Sequence, residues 1–187
     1  CLDPIKDHID EITDVIVKCL YDESVLVKAT TAETVGMFSE NVSDFLHKAD
    51  QVIPAIVDTL RFLSDTDIPL QKALHALHTF VNNAEYSKIT DMMDGLIEML
   101  LQYMAAKSMG VQKWTMEILS SVVIAVDTKI EKHFDTLMVP CEEIFKNTPL
   151  KHSELKSQAL ETIGHLSKAV GRERFEPYLE YYSQASL

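Results

Sequence analysis

Four stretches of this sequence repeat one another at a nearly constant spacing, and that restricts the fold more than any other feature. Val27-Lys28-Ala29-Thr30-Thr31-Ala32-Glu33-Thr34-Val35-Gly36-Met37-Phe38 aligns with Leu155-Lys156-Ser157-Gln158-Ala159-Leu160-Glu161-Thr162-Ile163-Gly164-His165-Leu166. Lys, Glu, Thr and Gly coincide at a displacement of 128 residues. Val111–Val122 fits between them, and so, less closely, does Pro69–Phe80. The copies start at 27, 69, 111 and 155, giving periods of 42, 42 and 44. Apolar residues recur at three and four, and strand-like alternation is rare. Second helices are therefore expected at about 25–41, 69–83, 109–126 and 153–170. The first-helix stripes are Ile5, Ile9, Ile12, Val15, Ile16 and Cys19, then Val52, Ile53, Ile56, Leu60 and Leu63. Leu96, Met99, Leu100 and Tyr103 form the third, and Leu137, Met138, Ile144 and Phe145 the fourth. Each stripe is wider than one partner covers, so successive copies must cover one another in a quasi-one-dimensional stack. A plain helical bundle imposes no such four-fold register.

Two helices in about 42 residues is the HEAT/armadillo period. Val27–Phe38 and Leu155–Leu166 resemble the HEAT second-helix pattern, Val-Arg/Lys-x-Ala-Ala-x-x-Ala-Leu-Gly-x-Leu. The expected fold is all-α, a right-handed α-solenoid of about four HEAT repeats plus the first helix of a fifth. The units divide at 1–42, 43–84, 85–127 and 128–170, with 171–187 starting a further repeat. Three residues depart from the pattern: Pro69 replaces an aliphatic residue, His78 the Gly, and Trp114 a small residue. A narrower resemblance lies in Phe134-Asp135-Thr136-Leu137-Met138-Val139-Pro140 and in Phe175-Glu176-Pro177-Tyr178-Leu179. These first-helix openings resemble the importin-beta (karyopherin-beta) superfamily, and Ser120–Leu179 is most similar to its importin-beta-three branch.

That resemblance implies a piece of a nuclear transport receptor, without catalysis, that shuttles between cytoplasm and nucleus. It implies basic nuclear-localisation-signal cargo on the inner surface and phenylalanine-glycine nucleoporins in apolar slots of the outer surface. Ran GTPase would engage repeats outside this piece. The rival is a generic HEAT scaffold, such as a phosphatase regulatory or assembly subunit, which docks a folded partner.

Composition bears on the partner. A net charge of −12 argues against nucleic acid, which needs a basic footprint, and against anionic lipid. It suits a basic partner or plain solubility. Cys1, Cys19 and Cys141 form no CxxC pair, so neither zinc nor a disulfide framework is indicated. No apolar run approaches the roughly 20 residues of a membrane helix, and no signal peptide is visible. The chain starts at Cys1 without Met, which reads as an excision from a longer protein. Its apolar ends are expected to self-associate. No phosphate loop, HExxH or serine elbow is present, and no cofactor is implied.

On each second helix, positions 2, 6, 9 and 13 lie opposite the apolar side, on the presumed concave face. Position 6 reads Glu33, His75, Glu117, Glu161; position 9 reads Gly36, His78, Ser120, Gly164; position 13 reads Glu40, Asn82, Ile124, Lys168. Glu33, Glu40, His75, His78, Asn82, Glu117, Ser120 and Glu161 are the candidate cargo-groove residues. A lysine-rich segment passing this ladder would meet carboxylates along its length, with Asn82 or Ser120 meeting its backbone. The competing reading is a solvated face where Glu is a good helix former. His75 and His78, at i and i+3, are either a metal pair lacking a third ligand or groove residues. Trp114 is either an aromatic anchor or a filler of the seam between repeats. Met92, Met93, Met99, Met104, Met109 and Met116 are an adaptable patch or core. Lys28 and Lys156 are expected to pair with turn acids such as Asp22 or Glu154. Asp22, Asp65 and Asp127 are expected to cap helices.

Overall fold

The computed structural model describes residues 3–63 and 67–185. Among these the chain is helical, with no strand. After α1 (Asp3–Lys6) and α2 (Ile9–Leu20) come α3 (Val25–Asn41), α4 (Ser43–Leu46) and α5 (Ala49–Phe62). Then follow α6 (Asp67–Asn83), α7 (Tyr86–Met104), α8 (Met109–Val126), α9 (Phe134–Asn147) and α10 (Ser153–Ala185). Short 3-10 turns, Asp127–His133 and Leu150–His152, lead into α9 and α10. The second helices α3, α6 and α8, with the part of α10 before Gly171, fall where the periodicity places them. Gly171 interrupts α10 at φ 79°, ψ 173°, a conformation open to glycine almost alone, so a separate helix follows it.

The second helices pack on one another along their lengths, α3 on α6, α6 on α8, and α8 on α10, while successive first helices meet over less surface. A stack bonded more closely on one side curves toward that side, which puts the second helices on the inner layer of the solenoid. One apolar core threads through all pairs, from Ile16 to Tyr182. Positions 0, 4, 7, 8 and 11 of α8 (Val111, Thr115, Ile118, Leu119 and Val122) are all buried in it. Burying side chains of this size stabilises by about 1.5–3 kcal/mol each. Aromatic rings link the pairs: Phe45 packs edge-on to Phe38 at 5.5 Å and Phe80 at 5.7 Å. Phe134 does the same to Phe175 at 6.5 Å and Tyr178 at 5.9 Å. The Phe that opens each matching motif is thus an inter-repeat packing residue.

Several local expectations are corrected. Val15 is 60% exposed, because α2 turns Thr13, Ile16 and Leu20 inward instead. Ser24, not Asp22, caps α3, accepting from the Val27 N–H at 3.5 Å. Asp22 braces that turn, accepting from the Ser24 N–H at 2.8 Å. Asp65 lies outside the described residues. Asp127 caps no helix start; it ends α8 at φ 49° and opens a 3-10 turn, and α9 begins at buried Phe134. Lys28 does not pair with an acid: its Nζ donates to the Leu20 carbonyl at 2.7 Å and lies 4.7 Å from the Phe62 ring centre. Gln112, at the same repeat position, donates likewise to the Met104 carbonyl at 3.1 Å. Both side chains satisfy end carbonyls of the preceding helix, groups with no partner inside it. Lys156 instead lies 5.0 Å from the Phe145 ring centre. Pro69 sits in the first turn of α6, where a missing N–H costs nothing.

The first helices are joined by ion pairs in a fixed register. Lys48 pairs with Asp10, Lys88 with Asp50 at 2.6 Å, Lys132 with Asp94 at 2.7 Å, and Arg174 with Asp135 at 2.6 Å. Each basic residue stands 38 or 39 residues after its acid. His133 adds a second contact to Asp94 at 2.7 Å. Hydrogen bonds from Lys132 and His133 hold the Asp94 carboxyl below its usual range. The bond to Asp50 raises Lys88.

Candidate functional site

His75 and Glu161 each come within electrostatic reach of Glu117, and each junction between second helices carries polar contacts. Glu33 of α3 meets Lys72 of α6 at 3.0 Å. His78 of α6 reaches Glu117 of α8 at 4.0 Å. The Asn82 side-chain oxygen accepts from the Ser121 hydroxyl at 3.0 Å. Lys113 of α8 meets Glu154 of α10 at 2.9 Å. Glu161 pairs along its own helix with His165 at 3.7 Å. The carboxylates are thus a row with counter-charges supplied by the chain itself.

Trp114 centres this face. Its ring lies 4.4 Å from that of His75 and 5.9 Å from that of His78, both tilted. The indole is half-buried in the seam between α6 and α8 while bordering the polar row. Seam packing and groove lining are therefore two sides of one residue. Lys113 Nζ lies 5.9 Å from the Trp114 ring centre.

Burial sets the charges here. It raises the Glu117 carboxyl, an effect opposed by Lys113 and His75 and reinforced by Glu161 and Glu154. Burial lowers His78, and His75 nearby lowers it further, which favours neutral imidazole at this seam. The hydrogen bond from Lys113 lowers Glu154 and in turn raises Lys113.

Of the candidate residues, Glu33, Glu40, His75, Asn82 and Glu161 are exposed, and His78 and Glu117 are half-buried. Ser120 is not available: at 6% exposure it belongs to the core side, as does Gly36. Neighbouring second helices press on the flanks, so the open arc is narrower than a lone helix suggests: position 9 is covered at Gly36 and Ser120, half-covered at His78 and open at Gly164. Ser121, not Ser120, bonds to Asn82. Sequence reasoning did not find Lys72 and Lys113 as counter-charges, or His165 as the contact of Glu161. A search for opposite charges one repeat apart would have found Lys72 against Glu33 and Lys113 against Glu154. Met93, Met99, Met104 and Met116 are core; Met109 is exposed. Burial, with Glu142 beside it, pushes the Cys141 thiol up to about 12, which leaves no reactive thiolate there.

On the outer side, α5 and α7 leave a cavity of about 330 Å³ lined by Ile53, Pro54, Val57, Met92, Gly95 and Leu96, with Asp58, Arg61, Asp91 and Asp94 at its polar margin. No helix among the described residues is long and apolar enough to cross a membrane.

Stacked helix pairs with second helices inside and first helices outside define an α-solenoid. The family described as importin subunit beta-1-like, TPR repeats, matches residues 7–186, so the chain belongs to the importin-beta family. Importin subunit beta-3 of Saccharomyces cerevisiae is 24% identical over 183 residues, covering 95% of this chain and 16% of that protein. Kap121p bound to Ste12p superposes with a TM-score of 0.85 at 24% identity, over 98% of this chain and 18% of that one. Kap121p bound to Nup53p gives 0.83 at 24% identity, and Kap121p bound to RanGTP 0.82 at 24%, each with the same coverage. These likenesses establish the solenoid fold. The chain spans about a sixth of the length of the relatives it matches.

Proposed function

We propose that this chain is a cargo-binding stretch of a nuclear transport receptor, which takes a basic, extended localisation signal along its inner face without chemistry. The observation that carries the reading is the recurrence of Glu33, Glu117 and Glu161 at one repeat position on three of the four second helices, with His75 there on α6, in a chain of the importin-beta family. Glu33, Glu40, Glu117, Glu154 and Glu161 outnumber Lys72 and Lys113 along this face, and an excess of one sign of charge draws in a partner of the other sign and favours it over wrong partners. The repeat units follow the sequence division, 1–42, 43–84, 85–127 and 128–170, with 171–187 opening the next. The largely apolar slot between α5 and α7 suits a phenylalanine side chain of a nucleoporin. Ran GTPase engages repeats outside this stretch, and the receptor shuttles between cytoplasm and nucleus.

The test is fluorescence anisotropy of a labelled lysine-rich peptide against the chain, across a salt series. Binding should weaken as salt rises and should vanish when Glu33, Glu117 and Glu161 are all changed to Lys. No binding at about 100 μM, an affinity limit of roughly 5.5 kcal/mol, refutes cargo capture by these repeats and leaves the scaffold reading.

A further inference from the structure

Trp114 is the only tryptophan in the chain, and it stands where acids are densest on the inner face. The corresponding residues of the other second helices are Thr30, Lys72 and Gln158, so only this repeat offers a π-face to the groove. His75 and His78 flank the indole from α6. Glu117 lies one turn along α8, and Glu154 and Glu161 approach from α10 within electrostatic reach of Glu117. An indole beside carboxylates is a receptor for an organic cation: ring quadrupole and negative charge act on the same guest.

That guest is already supplied from within. Lys113 Nζ lies 5.9 Å from the Trp114 ring centre and 2.9 Å from a Glu154 carboxylate oxygen. We propose that Trp114, Glu117 and Glu154 form a lysine subsite of the inner groove, which the chain's own Lys113 occupies in the free state. A lysine of the bound signal displaces Lys113 and takes its place. The inference rests on the cargo-groove reading and goes beyond it: one rung of the ladder is plugged, and the plug shows which side chain the rung accepts.

The plug is of the right strength to yield. Lys113 is 36% and Glu154 79% exposed in their side chains, and exposed pairs of flexible side chains hold weakly. Lys113 has four methylenes with which to swing aside, so α8 and α10 need not move. Two carboxyl groups, Glu154 and Glu117, act on this one ammonium, and Glu161 lies within electrostatic reach of Glu117; His78 touches Glu117 and His165 touches Glu161. The site therefore keeps acidic character even while plugged. The Glu33–Lys72 pair has a similar distance, 3.0 Å, but no aromatic ring, and so lacks the second half of the receptor.

The experiment compares K113Q with K151Q. Both remove one positive charge near the same end of the groove, but Lys151 is exposed and makes no ion pair among the described residues. The probe is a labelled lysine-rich peptide without aromatic residues, so emission on excitation of tryptophan comes from Trp114 alone. A subsite occupied most of the time by its plug loses affinity by its unoccupied fraction. K113Q should therefore tighten binding by about 3- to 10-fold, K151Q by less than about 2-fold, and peptide binding should shift the Trp114 emission. If the unaltered chain binds with salt sensitivity but K113Q gains no more than K151Q, or weakens, the subsite is refuted and the groove stands. If no peptide binds the unaltered chain or K113Q, the groove reading fails and the subsite with it. Superimposable circular dichroism spectra confirm that the variants are folded.

Discussion

Lys28 offers the sharpest test of how these helix pairs are held. Its side chain is 5% exposed, and its ammonium has a carbonyl, not a carboxylate, as partner. The Leu20 carbonyl accepts from Lys28 Nζ at 2.7 Å and from Thr59 Oγ1 at 2.9 Å, so three helices, α2, α3 and α5, meet on one oxygen. Changing Lys28 to Met keeps the alkyl stem and removes the charge. The lost charge-assisted bond is worth about 1.5–3 kcal/mol, and the contact with the Phe62 ring about 0.5–1 kcal/mol. Two effects oppose this: Thr59 still satisfies the carbonyl, and no ammonium is withdrawn from water. The expected net loss is about 1–2 kcal/mol. For a chain of this size that lowers the thermal midpoint by roughly 2–8 °C, measured by circular dichroism at neutral pH. Lys28→Gln should lose less than half as much, because Gln112 makes the corresponding bond to Met104. If Lys28→Met melts at or above the unaltered chain, the bond does not outweigh the burial of the amine, and the node is not a stabilising one.

His78 predicts a pH dependence. Burial holds its imidazole below the ordinary 6.5, so between that value and the folded-state one the unfolded chain binds the proton more tightly. Stability is then fully present above about 6.5 and falls as pH drops through the lowered value. Glu117 works the other way: its raised carboxyl gives stability that is present below its ordinary 4.5 and lost as pH rises through the folded-state value. His78→Gln should flatten the loss of thermal midpoint between about pH 7 and 5; an unchanged slope refutes the assignment. Gly36 predicts a gain: a Cβ there would stand 3.6 Å from the Ala76 Cα, an ordinary contact. Gly36→Ala should stabilise by about 0.5–1 kcal/mol in urea denaturation through helix propensity, whereas Gly36→Leu should force α3 from α6; a destabilised Gly36→Ala contradicts the packing described.

The helices were legible in the sequence because their signal is periodic and cumulative: Val52, Ile56 and Leu60 each point to one face, and an error at one residue does not move it. Single faces were legible only where one neighbour decides them. Ser120 and Val15 were misplaced because a helical projection ignores which flank the next helix covers. Lys28 was misread because a buried lysine suggests an acid, whereas a helix end offers bare carbonyls. The outer pairs went unseen because the alignment matched identical residues, and Asp50 with Lys88 is a likeness of opposites. Trp114 remained a choice between core and groove because at a seam half of one ring serves each.

The two sides of this stack are fastened by unlike means. Inside, exposed pairs such as Glu33–Lys72 and Lys113–Glu154 are backed by dry contacts that salt scarcely touches: Gly36 lies against Ala76, Trp114 against His75, and the Thr162 hydroxyl donates to the Met116 carbonyl at 3.4 Å. Outside, the exposed carboxylates of Asp10, Asp50, Asp94 and Asp135 hold Lys48, Lys88, Lys132 and Arg174 in contact with a medium whose screening length is about 8 Å at physiological ionic strength. A strip of two metals bends when one of them expands. This stack is built on the same plan, with the ionic medium in the place of temperature, and a slight loosening at each outer junction adds along every further pair. The curvature of the arch is therefore expected to shift with ionic strength.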